Sequence, residues 1–178
     1  VDDAKRIELE ERAIRARMME LGWRLAADPD FTWVEGMLSV DRDRKEARVI
    51  EAGLFPAPYI VMQRNRSTKP KAILVGRPHV HVVPALWDGP TRGAILDLLR
   101  AAHAYHGTTN VWAKQMPPRW TPRWKVWRDK YDGMMDDCLS EADTEGEALG
   151  KGLLYVLETV RELKALHERE LLREVLGV

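Results

Sequence analysis

The two ends of the chain read as long helices, and the stretch between them reads as short strands broken by turns. That order restricts the fold to helices packed on a small, mostly antiparallel sheet. From Gly146, after the acidic SEADTEGE, Leu153, Val156, Leu157, Val160 and Leu163 form one stripe, which predicts a closing helix to about residue 176. At the other end Ile7, Ile14, Met18, Leu21 and Leu25 recur at helical intervals, which predicts a helix over about 3–25, ended by Pro29. The expected fold class is α+β. One domain is expected over 1–178, since that length is enough for one good core and too short for two.

The strands between are short. FTWVEGMLSV reads as the first. RKEARVIEAG reads either as a helix with Ala47, Ile50 and Leu54 on one face, or as the return strand of a hairpin whose turn is DRDRKE. The hairpin is the preferred reading. PYIVMQ and KAILVG are apolar strands joined by the turn formers of RNRSTKP, and HVHVV is a further strand. DGP precedes a helix from Thr91 to about Tyr105, which Gly107 stops. Thr121 followed by Pro122 reads as a cap and first-turn proline opening another helix, on which Trp124, Trp127 and Tyr131 would share a face.

The formal charge is zero, but its distribution is uneven. Residues 1–51 carry a net −3, 52–128 a net +10 and 129–178 a net −7. Within the middle segment the only acids are Asp88 and Asp97. A block of Lys and Arg without acids is the electrostatic footprint of a phosphate-binding surface. The alternative is that acidic helices from the two ends fold over the block and neutralise it. The single cysteine, Cys138, allows no intramolecular disulfide and fits an intracellular compartment. Apolar runs such as YIVM and AILVG fall short of the roughly twenty residues a membrane helix needs. The opening VDDAKRIELEER has neither the apolar core of a signal peptide nor the acid-poor character of a transit peptide.

Asp41 and Asp43 stand two residues apart at the end of an apolar run, and would share a face if SVDRD stays extended. Two carboxylates so placed can bridge divalent cations. The alternative is a solvated turn whose aspartates pair with neighbouring arginines. Over residues 37–80 the succession Asp41-Arg42-Asp43-Arg44, Ala47, Leu54-Phe55-Pro56-Ala57-Pro58, YIVMQRN and Pro78-His79-Val80 resembles the plasmid replicases and related primase-polymerases of the archaeo-eukaryotic primase superfamily. The resemblance implies a nucleotidyltransferase domain in which Asp41 and Asp43 hold Mg²⁺ or Mn²⁺. In that family a histidine contacts the incoming nucleotide and a later aspartate completes the metal site. Where the histidine falls this chain has TKPKA, with Lys69 or Lys71, and where the later aspartate falls GTTNVW offers threonines.

Two further patterns carry chemistry. His79 and His81 lie on one face of a short strand, with His103 and His106 on the next helix; imidazoles so spaced can share zinc, or be hydrogen-bonded core residues. In VWAKQMPPRWTPRWKVWRDKY, rings and cations alternate as stacking and phosphate contact on a nucleic acid require, although an aromatic stripe also suits a core. The function expected is a non-enzymatic structural subunit of a larger, nucleic-acid-containing assembly, needing no cofactor and contacting other protein subunits and RNA or DNA, with no membrane. Arg64, Arg66, Lys69, Lys71, Lys114, Arg119, Trp120 and Arg123 are the expected nucleic-acid contacts. The primase-like nucleotidyltransferase is the alternative.

Overall fold

A computed structural model describes residues 3–54, 57–64, 69–75, 80–104, 110–117, 123–129 and 137–176. The elements are α1 (Asp3–Ala27), β1 (Leu38–Asp41), β2 (Glu46–Gly53), β3 (Tyr59–Gln63), β4 (Lys71–Leu74), β5 (Val82–Pro84), α2 (Gly89–Ala104), β6 (Val111–Gln115), β7 (Trp124–Arg128), β8 (Asp137–Ala142) and α3 (Glu145–Leu176). They form an α+β fold with two antiparallel sheets: a five-stranded one in the order β4-β3-β2-β1-β5 and a three-stranded one in the order β6-β7-β8.

The hairpin is the form that 41–53 adopts, with Leu38 opposite Arg48, Ser39 opposite Ala47 and Val40 opposite Glu46. FTWVEGMLSV yields a strand only at its end, because the chain turns at Gly36, whose φ of 91° is left-handed. HVHVV yields Val82–Pro84, with His81 just before the strand.

The helix expected from Pro122 is a strand instead. Trp124–Arg128 sits between Val111–Gln115 and Asp137–Ala142, fully hydrogen-bonded as the central strand of its sheet. A three-residue spacing of two tryptophans suits one helical face and puts them on opposite faces of a strand, and tertiary pairing of WKVWR decides for the strand, with Val126 fully buried. Tyr131, Thr121, Pro122 and Gly107 lie outside the described residues.

One hydrophobic cluster joins the helices and both sheets, with Leu25, Met37, Ile60, Leu86, Ile95, Leu99, Leu149 and Leu153 at its centre. α1 and α3 run in the same direction. Arg17 meets Glu147, Leu21 packs where Gly150 leaves room, and Arg161 reaches Asp28 and Asp30. Thr144 caps α3: its hydroxyl accepts the Glu147 amide and donates to the Glu147 carboxylate. Residues 3–13 of α1 and 161–171 of α3 are exposed, at opposite ends of this helix pair.

Candidate functional site

In an antiparallel sheet, side chains at paired positions point to the same face. The pairs Ser39–Ala47, Asp41–Val82, Val49–Met62, Met62–Lys71 and Ile60–Ile73 therefore place Ser39, Asp41, Ala47, Met62, Lys71, Ile73 and Val82 on one face of the five-stranded sheet. There they line a cleft of about 380 Å³, whose remaining walls come from Lys45, Arg64, Lys69 and His81. The floor is apolar apart from Ser39, which is buried and donates its hydroxyl to the Ala47 carbonyl at 2.7 Å.

Among the described residues Asp41 is the only carboxylate in the lining, beside four Lys and Arg side chains. Its Oδ1 accepts the Lys45 amide at 2.8 Å and so closes the hairpin turn. Its Oδ2 lies 3.3 Å from Arg64. Asp43 is at the tip of the turn, its side chain 74% exposed, 3.3 Å from the Lys45 ammonium. The chain does not stay extended through SVDRD, because β1 ends at Asp41 and the turn follows, with Arg44 in the left-handed region at φ 61°. One aspartate faces the cleft and the other does not line it. Among the described residues no group of three or more His, Cys, Asp and Glu side chains is placed to hold a metal ion.

The remaining expected site residues are divided. Arg64, Lys69, Lys71 and His81 come together in the cleft. Lys114 and Arg123 belong to the other sheet, Lys114 opposite Lys125 on β6 and β7 and Arg123 just before β7. His103 is buried in α2. Arg66, His79, His106, Arg119 and Trp120 lie outside the described residues.

Acidic residues of the C-terminal third do reach part of the basic block. Glu141 pairs with Lys125 at 3.2 Å, Asp137 with Arg128 at 3.1 Å and Glu145 with Arg92 at 3.0 Å. These pairs engage two cations of β7 and one at the start of α2. In the cleft, among the described residues, Arg64 is matched by Asp41 and Lys45 by Asp43, while Lys71 forms no ion pair. Lys45 was not among the residues the sequence singled out, although the hairpin register carries it to the cleft beside Asp41.

No family model, curated protein or solved structure matches the chain. The reading of the cleft therefore rests on its own residues.

Proposed function

We propose that the protein is a non-enzymatic subunit of a larger nucleic-acid-containing assembly, and that the cleft on its five-stranded sheet holds a phosphate backbone. The observation that carries this reading is the gathering of Lys45, Arg64, Lys69 and Lys71 around a single carboxylate that already closes a turn. Such a site attracts a polyanion without needing any residue the chain lacks. The exposed apolar side chains of the terminal helices, Ile7 and Leu9 on α1 and Leu163, Leu166 and Leu171 on α3, support protein neighbours. The lone cysteine fits an intracellular setting, and no helix among the described residues is long and apolar enough to cross a membrane.

Salt titration of oligonucleotide binding, read by fluorescence anisotropy, tests the reading. With three phosphates met, log Kd should vary with log salt at a slope of about 2 for a single strand. The triple variant Arg64→Gln, Lys69→Gln, Lys71→Gln should flatten that slope. Absence of binding at low salt, or an unchanged slope in the variant, overturns the proposal.

Asp41 facing the same cleft as four cations favours a second reading, primase-like nucleotidyl transfer with Mg²⁺ or Mn²⁺. Template-dependent primer extension that disappears in Asp41→Asn would establish it. We expect none, because Asp43 stands outside the lining.

A further inference from the structure

The β1–β2 hairpin is a wall between two cavities. Along it Asp41, Lys45 and Ala47 face the cleft, while Val40, Arg42, Arg44 and Glu46 face a second groove of about 910 Å³, bounded by α1 and by Trp87. In that groove the Arg15 guanidinium lies 5.2 Å from the centre of the Trp87 ring, and that of Arg42 lies 5.6 Å from the Trp23 ring. Glu20 and Glu46 line the same space, yet Arg15, Arg42 and Arg44 form no ion pair among the described residues. Arg12, the fourth arginine, is held by Glu8 at 2.7 Å.

A guanidinium stacked on an indole ring keeps its in-plane N–H donors available and loses little further freedom when they bind. Its planar fork matches the two oxygens of a phosphate. The guanidinium–indole pairs supply flat surfaces against which a base can stack. Two such arginines, Arg15 and Arg42, with Arg44 beside them and none of the three in an ion pair among the described residues, form with the two tryptophans a composite that a nucleic-acid strand satisfies. An acidic peptide would meet the arginines but offer nothing flat to the rings.

We infer that this groove is a second contact site for single-stranded nucleic acid, on the far side of the hairpin from the cleft. It rests on the reading of the protein as a nucleic-acid binder, and extends it from one face of the sheet to both. The strand passes over the hairpin tip, with Arg15, Arg42 and Arg44 gripping its backbone in the groove and Lys45, Arg64 and Lys71 gripping it in the cleft.

The experiment compares a fluorescent single-stranded oligonucleotide of about 20 nucleotides, long enough to reach both cavities, against the wild type and two variants. The groove variant is Arg15→Gln with Arg42→Gln, and the cleft variant is Lys69→Gln with Lys71→Gln. The groove variant should bind about tenfold more weakly, with a salt slope shallower by about 1.4 for two lost contacts. Binding should quench indole fluorescence, and Trp23→Phe should remove part of that quenching. Arg42→Lys, which keeps the charge but not the fork, should preserve the slope while weakening affinity. Thermal melts of every variant separate lost contacts from lost fold.

A groove variant that binds like wild type, while the cleft variant does not, overturns the inference and leaves the cleft reading standing. The converse result overturns the cleft and supports the groove. A polyglutamate peptide that occupies the groove, in a protein that binds no oligonucleotide, overturns both in favour of an acidic protein partner.

Discussion

Arg48 on β2 and Asp88 at the start of α2 lock the five-stranded sheet to the helix that follows it, with Nη1 2.7 Å from Oδ2 and Nη2 3.2 Å from Oδ1. The same carboxylate caps α2, accepting the Thr91 amide at 3.0 Å and the Thr91 hydroxyl at 2.7 Å. The Thr91 oxygen in turn accepts the Leu38 amide at 2.8 Å, on β1. Burial works to raise the Asp88 carboxyl, and the bonds from Arg48 and Thr91 outweigh it, so the group lies below its ordinary value.

The sign of the pH effect follows. A carboxyl whose folded pKa is depressed stabilises the protein above its unfolded value, about 3.9, and that contribution is lost as pH falls through the folded value. Wild-type melting temperature should therefore fall as pH drops below about 4. Asp88→Asn should start lower, by about 2 kcal/mol, and lose less over the same window. Melts at pH 7, 4 and 3 check this.

Two glycines in helices should respond in opposite directions to alanine. A Cβ at Gly93, in α2, meets nothing within 4 Å. Gly93→Ala should stabilise by about 0.5–1 kcal/mol through helix propensity. A Cβ at Gly146 would overlap the backbone carbonyl of Leu86, in the loop before α2. Gly146→Ala should therefore destabilise by about 1–3 kcal/mol despite the same propensity gain. Urea unfolding of the two single variants decides it.

Arg44 carries a left-handed backbone, φ 61°, in a residue with a side chain. Such a conformation is unfavourable by about 1–2 kcal/mol for an L residue and is relieved by glycine. Arg44→Gly should raise stability by about 0.5–1 kcal/mol after the added freedom of the unfolded chain is counted. If Arg44 grips a strand in the groove, the same variant should bind oligonucleotide more weakly. A protein made more stable and a weaker binder by one substitution would tie the strain at this turn to its use.

The sequence makes some of this plain and hides the rest for physical reasons. The terminal helices show because each has an apolar stripe buried along only one side. The hairpin shows because DRDRKE is too polar to sit in the body of a strand and is flanked by apolar runs. β7 does not show, since the spacing of Trp124 and Trp127 suits a helical face, and pairing with β6 and β8 overrides it and sets the two rings on opposite faces of the sheet. The cleft is half legible: Arg64, Lys69 and Lys71 belong to the basic block, whereas Lys45 comes from the negative first third of the chain. The arginine groove is invisible to any count of charge along the chain. Its members are spread over α1 and the hairpin, in a part of the chain whose net charge is negative.

Among the described residues the last ion pair between α3 and the body is that of Arg161 with Asp28 and Asp30, at 2.6 and 2.9 Å. Beyond that point it runs on to Leu176, which at about 1.5 Å per residue is a projection of about 22 Å. The free end of α1 projects the opposite way. A molecule built like this is a strut. Neighbours attached at its two tips would be kept apart by the rise of a helix rather than by the slack of a linker.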